Sequence, residues 1–227
     1  MRYLELILDA LVAEGGSLKA TAKGNLPTKL VQQASSLLPE FAVAQYPRHI
    51  SLSEFAGSNE DKFNALHYTR ILAQLAGIIY IKAGRFHFKK SELKRYQKHG
   101  LAAFFPDMLE AATREFNWAY FDGFAEGLQL EPFWVFMLWR LQTHGSLERL
   151  NEEVCIAFPD LLNQLPDDGY FSPERQLGMM ISVRFVERFL GFFGFLLKDP
   201  ALFVEGKESS PKLTLLPLLG QAFQFSL

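Results

Sequence analysis

Apolar residues recur at three- and four-residue steps through Tyr3, Leu4, Ile7, Leu8 and Leu11, which predicts an amphipathic helix ending at Gly15-Gly16. From Ser17 to Lys23 the pattern switches to alternation, Leu18, Ala20 and Ala22 against Lys19, Thr21 and Lys23, as a short strand requires. Gly24-Asn25 turns the chain into a second helix. Pro27 is tolerated in its first turn, where an N–H has no helical partner. Leu30, Val31, Ala34, Leu37 and Leu38 form its inner stripe. Residues 39–59 read as a looser connection, in which Ser51-Leu52-Ser53-Glu54 caps one short helix. A third helix is expected from about Asp61 to Ala76. It sets Ala65, Tyr68, Leu72, Leu75 and Ala76 on one face and Phe63, His67, Arg70 and Gln74 opposite. Gly77–Lys82 and Arg85–Lys89 are β-branched, aromatic and alternating runs divided by Ala83-Gly84, the pattern of a two-residue β-hairpin.

The second half is patterned as helices. Residues 101–121 carry the string FNWAYF, and Pro132 opens a helix over 133–142 whose FWVFMLW is apolar nearly all round and so is expected to be buried. Ser146 is placed to cap a helix over 147–158. Ser172-Pro173-Glu174 combines a cap, a first-turn proline and an acid at the positive end of the helix dipole, starting a helix to about Gly191. The end of the chain then echoes the first half. RFLGFFGFLLKDPALFVEG with KLTLLPLLGQAF follows the plan of RILAQLAGIIYIKAGRFHFKKSELKRYQ: helix, strand after a glycine, turn, return strand, short helix.

Helix, strand, helix, helix, hairpin is the order of a winged helix, in which the third helix meets the DNA major groove and the hairpin meets the backbone. The expected class is therefore α+β, mainly helical with small β-hairpins. It comprises a winged-helix-like unit over residues 1–98 and a helical domain over 99–227 that ends in a second, apolar winged-helix-like unit.

Charge sharpens this division. Residues 1–100 hold 14 Lys/Arg against 8 Asp/Glu, whereas residues 101–227 hold 9 against 17. Lys82, Arg85, Lys89, Lys90, Lys94, Arg95 and Lys98 are gathered on and just after the hairpin with one acid, Glu92. Such a patch suits a polyanion or the acidic half of the same chain. The start of the chain has acids inside its apolar stretch and no basic region before it, unlike a signal peptide. The most apolar run, Leu177 to Leu197, is broken by Arg184, Glu187 and Arg188 and reads as a buried helix, so no membrane contact and a cytoplasmic location are expected.

The strings LKATAKGNLPTKLV, LAGIIYIKAGRFHFKKSELK, FNWAYFDGF, FPDLL and FFGFLL…KLTLLPLLGQAF resemble a family of uncharacterised bacterial proteins. Its members share a T-x-x-G-N-L-P segment, a K-x-G-R-x-x-[LF] hairpin, an F-N-W motif and a terminal T-x-L-[LF] strand. This chain departs from the pattern at Phe88-Lys89-Lys90-Ser91, where the family's hairpin tends to end in Leu-Thr. The resemblance implies the fold and carries no established activity.

Catalytic signatures are missing from the sequence. There is no phosphate-binding glycine loop, H-E-x-x-H or G-x-S-x-G. The five histidines are scattered, and Cys155, the lone cysteine, sits among apolar helical neighbours. No enzyme activity, cofactor or metal is expected. The leading function is a non-catalytic interaction or self-association module, its partner another protein or a second copy, favoured by 22 phenylalanines and strings such as FLGFFGFLL. The alternative is a nucleic-acid-binding regulator. In that reading Lys82, Arg85, Lys89 and Lys90 contact phosphates while His67, Arg70 and Gln74 face base edges. An enzyme or small-ligand binder with a pocket lined by Asn117 and Trp118 is the third option.

Overall fold

The computed structural model describes residues 1–37, 59–120, 122–124, 128–166, 169–199, 203–204, 207–208 and 212–225. The expected cap at Ser51–Glu54 lies outside them. The chain divides into two compact units, Met1–Phe116 and Asn117–Leu227.

In the first unit α1 (Arg2–Ala13) buries Tyr3, Leu4, Ile7, Leu8 and Leu11, the stripe its spacing predicts. Strand β1 (Ser17–Lys19) is followed by α2 (Thr28–Ser35), which buries Leu30, Val31 and Ala34. A single 3₁₀ turn at Glu60–Lys62 leads into α3 (Asn64–Leu75). Strands β2 (Ile79–Lys82) and β3 (Arg85–Phe88) form the hairpin, and β1 pairs with the other side of β3, giving an antiparallel sheet in the order β1-β3-β2. The turn residues Ala83 and Gly84 both have positive φ, +51° and +69°, the hand that matches the twist of paired strands. Leu18, Ile79, Phe86 and Phe88 alternate onto the core side.

Helices α4 (Lys90–His99) and α5 (Phe105–Arg114) complete the first unit, which moves the boundary from residue 98 to Phe116. The reason is packing. Phe104, Met108, Ala111 and Ala112 are buried, Phe116 meets the Tyr68 ring edge-on at 4.6 Å, and the Arg95 guanidinium bonds Asp107 and the Ala103 carbonyl.

The second unit holds α6 (Trp134–His144), α7 (Leu147–Ala157), α8 (Pro173–Met180), a π-helical continuation of α8 over Ile181–Gly191, strands β4 (Leu196–Lys198), β5 (Phe203–Val204), β6 (Lys207–Glu208) and β7 (Leu213–Leu215), and α9 (Pro217–Ala222). Ser146 and Ser172 cap α7 and α8 by accepting from the amides of Arg149 and Arg175. The core is aromatic: Trp118 stacks on Phe189 and Phe185 at 5.0 and 6.0 Å, and Phe193, Phe195 and Phe223 continue the cluster.

The echo seen in the sequence has a backbone counterpart. α3 ends with Gly77 N–H donating to Gln74 and Ile78 N–H to Ala73; the π-helix ends with Gly194 N–H donating to Gly191 and Phe195 N–H to Leu190. Both glycines have positive φ. Ile79 lies opposite Phe88 as Leu196 lies opposite Leu215, and Lys89 N–H reaches Ile78 as Leu216 N–H reaches Phe195. The first sheet has β1 as its third strand, whereas β4 and β7 form a two-stranded sheet among the described residues.

Candidate functional site

The polar face of α3 is tied into the fold by hydrogen bonds. Glu60, fully buried, accepts from His67 Nδ1 at 2.8 Å and from Arg70 Nε at 2.6 Å, and its second oxygen takes the Leu26 amide. Arg70 also donates to the Gln74 side-chain oxygen and lies 5.7 Å over the Phe86 ring. Burial alone would raise the Glu60 carboxyl, but bonds from His67, Arg70 and Leu26 outweigh it and hold the group below its usual range. The expected base-reading trio is thus an internal network, and Phe63, expected beside it, is buried edge-on against Tyr3 at 5.3 Å. The 3.6-residue spacing was right about one shared face. It could not show that a carboxylate from the preceding turn seals that face.

The basic segment divides by residue type. Both arginines are occupied in the fold: Arg85 bonds the hydroxyl and carbonyl of Ser17, and Arg95 bonds Asp107, Glu92 and Ala103. Lys82, Lys89, Lys90, Lys94 and Lys98 are exposed, with no ion-pair partner among the described residues. Lys90, Lys94 and Lys98 stand four residues apart on α4, so each step places like charges side by side at a cost of about 0.2–0.5 kcal/mol to the helix. An uncompensated row of this kind is not explained by stability.

The sheet register gathers more of these residues. Tyr80 faces His87 and Lys82 faces Arg85 across the hairpin, while Ser17 and Lys19 face His87 and Arg85 from β1. These six side chains share the outer face, and alternation puts Lys89 there too. Tyr80 is 45% exposed and stacks on the His87 ring at 5.1 Å with planes 17° apart. Sequence reading placed the cations here but missed Lys19 and the aromatic pair, which become neighbours only once the strand register is fixed.

The second unit offers a different surface. α6 buries Met137, Leu138 and Leu141, but Val135 is 47% exposed and Phe136 and Trp139 are half-buried, so the helix is not hidden all round as expected. Ile156 of α7, 80% exposed, lines the same shallow depression with Phe136, Trp139, Arg140 and Glu153. Glu153 takes a two-pronged ion pair from Arg140 at 2.7–2.8 Å and a bond from His144 at 3.0 Å. Arg140 and His144 hold its carboxyl at about 2.

Trp118 is core, stacked on Phe185 and Phe189, and Asn117 is exposed, so the two side chains expected to line one pocket lie apart in burial. Burial and the nearby Glu174 raise the Cys155 thiol, the opposite of what activates a nucleophile. One buried charge that sequence reading did not develop is Arg184, a break in the apolar run, which pairs with Asp122 and the Leu128 carbonyl in the core. Among the described residues no helix is long and apolar enough to cross a membrane, and no cluster of His, Cys, Asp or Glu could hold a metal. Comparison with protein families, with known proteins and with solved structures finds no match for the chain.

Proposed function

We propose that the protein is a non-catalytic interaction module built on two winged-helix-like units, and that its second unit self-associates through the α6–α7 face. The observation that carries this reading is the apolar group of exposed Val135 and Ile156 with half-buried Phe136 and Trp139, beside a rim of both charge signs. A two-fold contact brings one patch against itself, so its charges must be self-complementary. Arg149 with Glu148 and Glu152, all exposed on α7, supplies that mixture. Light scattering on a sizing column tests it. The wild type is expected to run as a dimer whose fraction falls on dilution, and a Val135→Glu/Ile156→Glu variant as a monomer with unaltered circular dichroism. A wild type that stays monomeric at high concentration overturns the reading.

Sequence-specific reading of DNA through α3 is not favoured. Releasing His67 and Arg70 to a base edge would strand the Glu60 carboxylate in the core, at the several-kcal/mol cost of an unpaired buried charge, of order 3–5 kcal/mol.

A further inference from the structure

We infer that the outer face of the β1-β3-β2 sheet binds single-stranded nucleic acid without sequence preference, with the Tyr80 ring as a base-stacking platform and lysines on either side as phosphate contacts. Three observations on this face converge. Tyr80 is held flat against His87, so its orientation is fixed before any ligand arrives, and its exposed area is available to a second ring. Lys82, beside Arg85 near the turn, and Lys89, at the far end of β3, flank this stack. At about 3.4 Å per residue, Arg85 and Lys89 lie about 14 Å apart along the strand. The strands themselves carry no acid, and Lys19 of β1 extends the positive end; Glu14 is the carboxylate that stands beside Lys19 and Arg85. The row Lys90, Lys94 and Lys98 continues from Lys89 down α4.

An aromatic ring between cations is what distinguishes this face from a general polyanion site. A phosphorylated or acidic protein, or an anionic surface, would use the lysines and leave Tyr80 idle. A single strand uses both, because its phosphates meet lysines and its unpaired bases have free π-faces. In a duplex those faces are already stacked. The sealed polar side of α3 removes base-edge readout, which leaves stacking and charge and hence no dependence on sequence.

Anisotropy of a labelled oligothymidylate of about ten nucleotides tests the inference on the whole protein, titrated across salt, with a duplex of equal length and inorganic polyphosphate as comparison ligands. The wild type is expected to bind the single strand more tightly than the duplex. A Tyr80→Leu variant should lose five- to hundred-fold in affinity for the single strand with its salt slope unaltered and its polyphosphate binding unchanged, and Tyr80→Phe should bind like the wild type. A Lys82→Ala/Lys89→Ala variant should lower the log–log salt slope by about 1.4, two single-strand phosphate contacts at about 0.7 each. No binding at low salt overturns the inference. So does a Tyr80→Leu variant that keeps full affinity, or duplex binding that equals single-strand binding. All three substituted side chains are exposed, and circular dichroism of each variant checks that the hairpin is intact.

Discussion

Among the described residues, Met1–Phe116 buries the Glu60 carboxylate against donors that keep about one-tenth of their surface in water, whereas Asn117–Leu227 buries the Arg184 guanidinium together with its partner carboxylate. Arg184 is held by Asp122 and the Leu128 carbonyl, with the Phe124 ring 5.8 Å away. The outsides differ as well. The first unit carries 15 Lys/Arg against 11 Asp/Glu and leaves five lysines along its hairpin and α4 with no ion-pair partner among the described residues, whereas the second carries 8 against 14 and leaves apolar side chains in solvent on α6 and α7. The helix–hairpin–helix backbone plan recurs in both units, but the first unit carries its cationic face on that plan whereas the second carries its exposed apolar group on α6 and α7, outside it. The backbone hydrogen bonds settle where the hairpin sits, and the side chains on its outer surface settle what it meets.

The largest effect should come from breaking the buried pair in the second unit. Asp122→Ala leaves the Arg184 guanidinium in the core beside one carbonyl, and removing one partner of a buried pair costs about 3–5 kcal/mol. All three tryptophans, Trp118, Trp134 and Trp139, belong to this unit, so their emission during urea unfolding reports it selectively. Arg184→Met with Asp122→Leu should recover most of the loss, because no charge then needs solvating. A loss below about 1 kcal/mol for Asp122→Ala would show that Arg184 does not depend on this partner, and the comparison of the two buried charges would fail.

A smaller loss is expected from Glu60→Gln, about 1–3 kcal/mol, since Arg70 and His67 are about one-tenth exposed and can turn part of their polar surface to water. It should appear in circular dichroism and not in tryptophan emission. The same carboxylate gives the first unit an acid-sensitive contribution. Its folded pKa is depressed below the unfolded value of about 4.3, so the stabilisation is complete above that value and is lost as pH falls through the folded pKa. Glu60→Gln should flatten this part of the stability–pH curve. An unaltered curve would place the acid sensitivity elsewhere.

Much of this architecture is legible in the sequence because it rests on local rules. The α1 stripe, the Ala83-Gly84 hairpin and the caps at Ser146 and Ser172 each follow from spacing or from one residue's chemistry. The site was only partly legible. Arg70 looks free on a helical wheel, and nothing near Glu60 in the chain announces that its carboxylate closes over that helix. The FWVFMLW helix fails for a related reason: apolar composition says a helix can be buried, whereas the supply of neighbours decides whether it is, and among the described residues those around Val135 leave 47% of it exposed. Lys19 and Tyr80 join one face through a strand pairing that spans more than sixty residues.

The smallest effect concerns the turn that the two hairpins do not share. Ala83 holds φ at +51°, a region in which an L-residue with a Cβ is strained by about 1–2 kcal/mol, while its neighbour Gly84 adopts +69° without that penalty. Asparagine tolerates this conformation better, and Asn-Gly is the favoured pair for a two-residue turn of this hand. Ala83→Asn should therefore stabilise the first unit by up to about 1 kcal/mol, raising its thermal midpoint by circular dichroism and leaving the tryptophan transition where it was. Because Ala83 lies beside Lys82, the variant also separates hairpin rigidity from charge: single-strand affinity should hold or rise slightly, since the stack of Tyr80 on His87 is then held more firmly. A fall in affinity with a raised midpoint would mean that the hairpin must bend to bind, and the pre-formed platform would be the wrong description of the first unit's outer face.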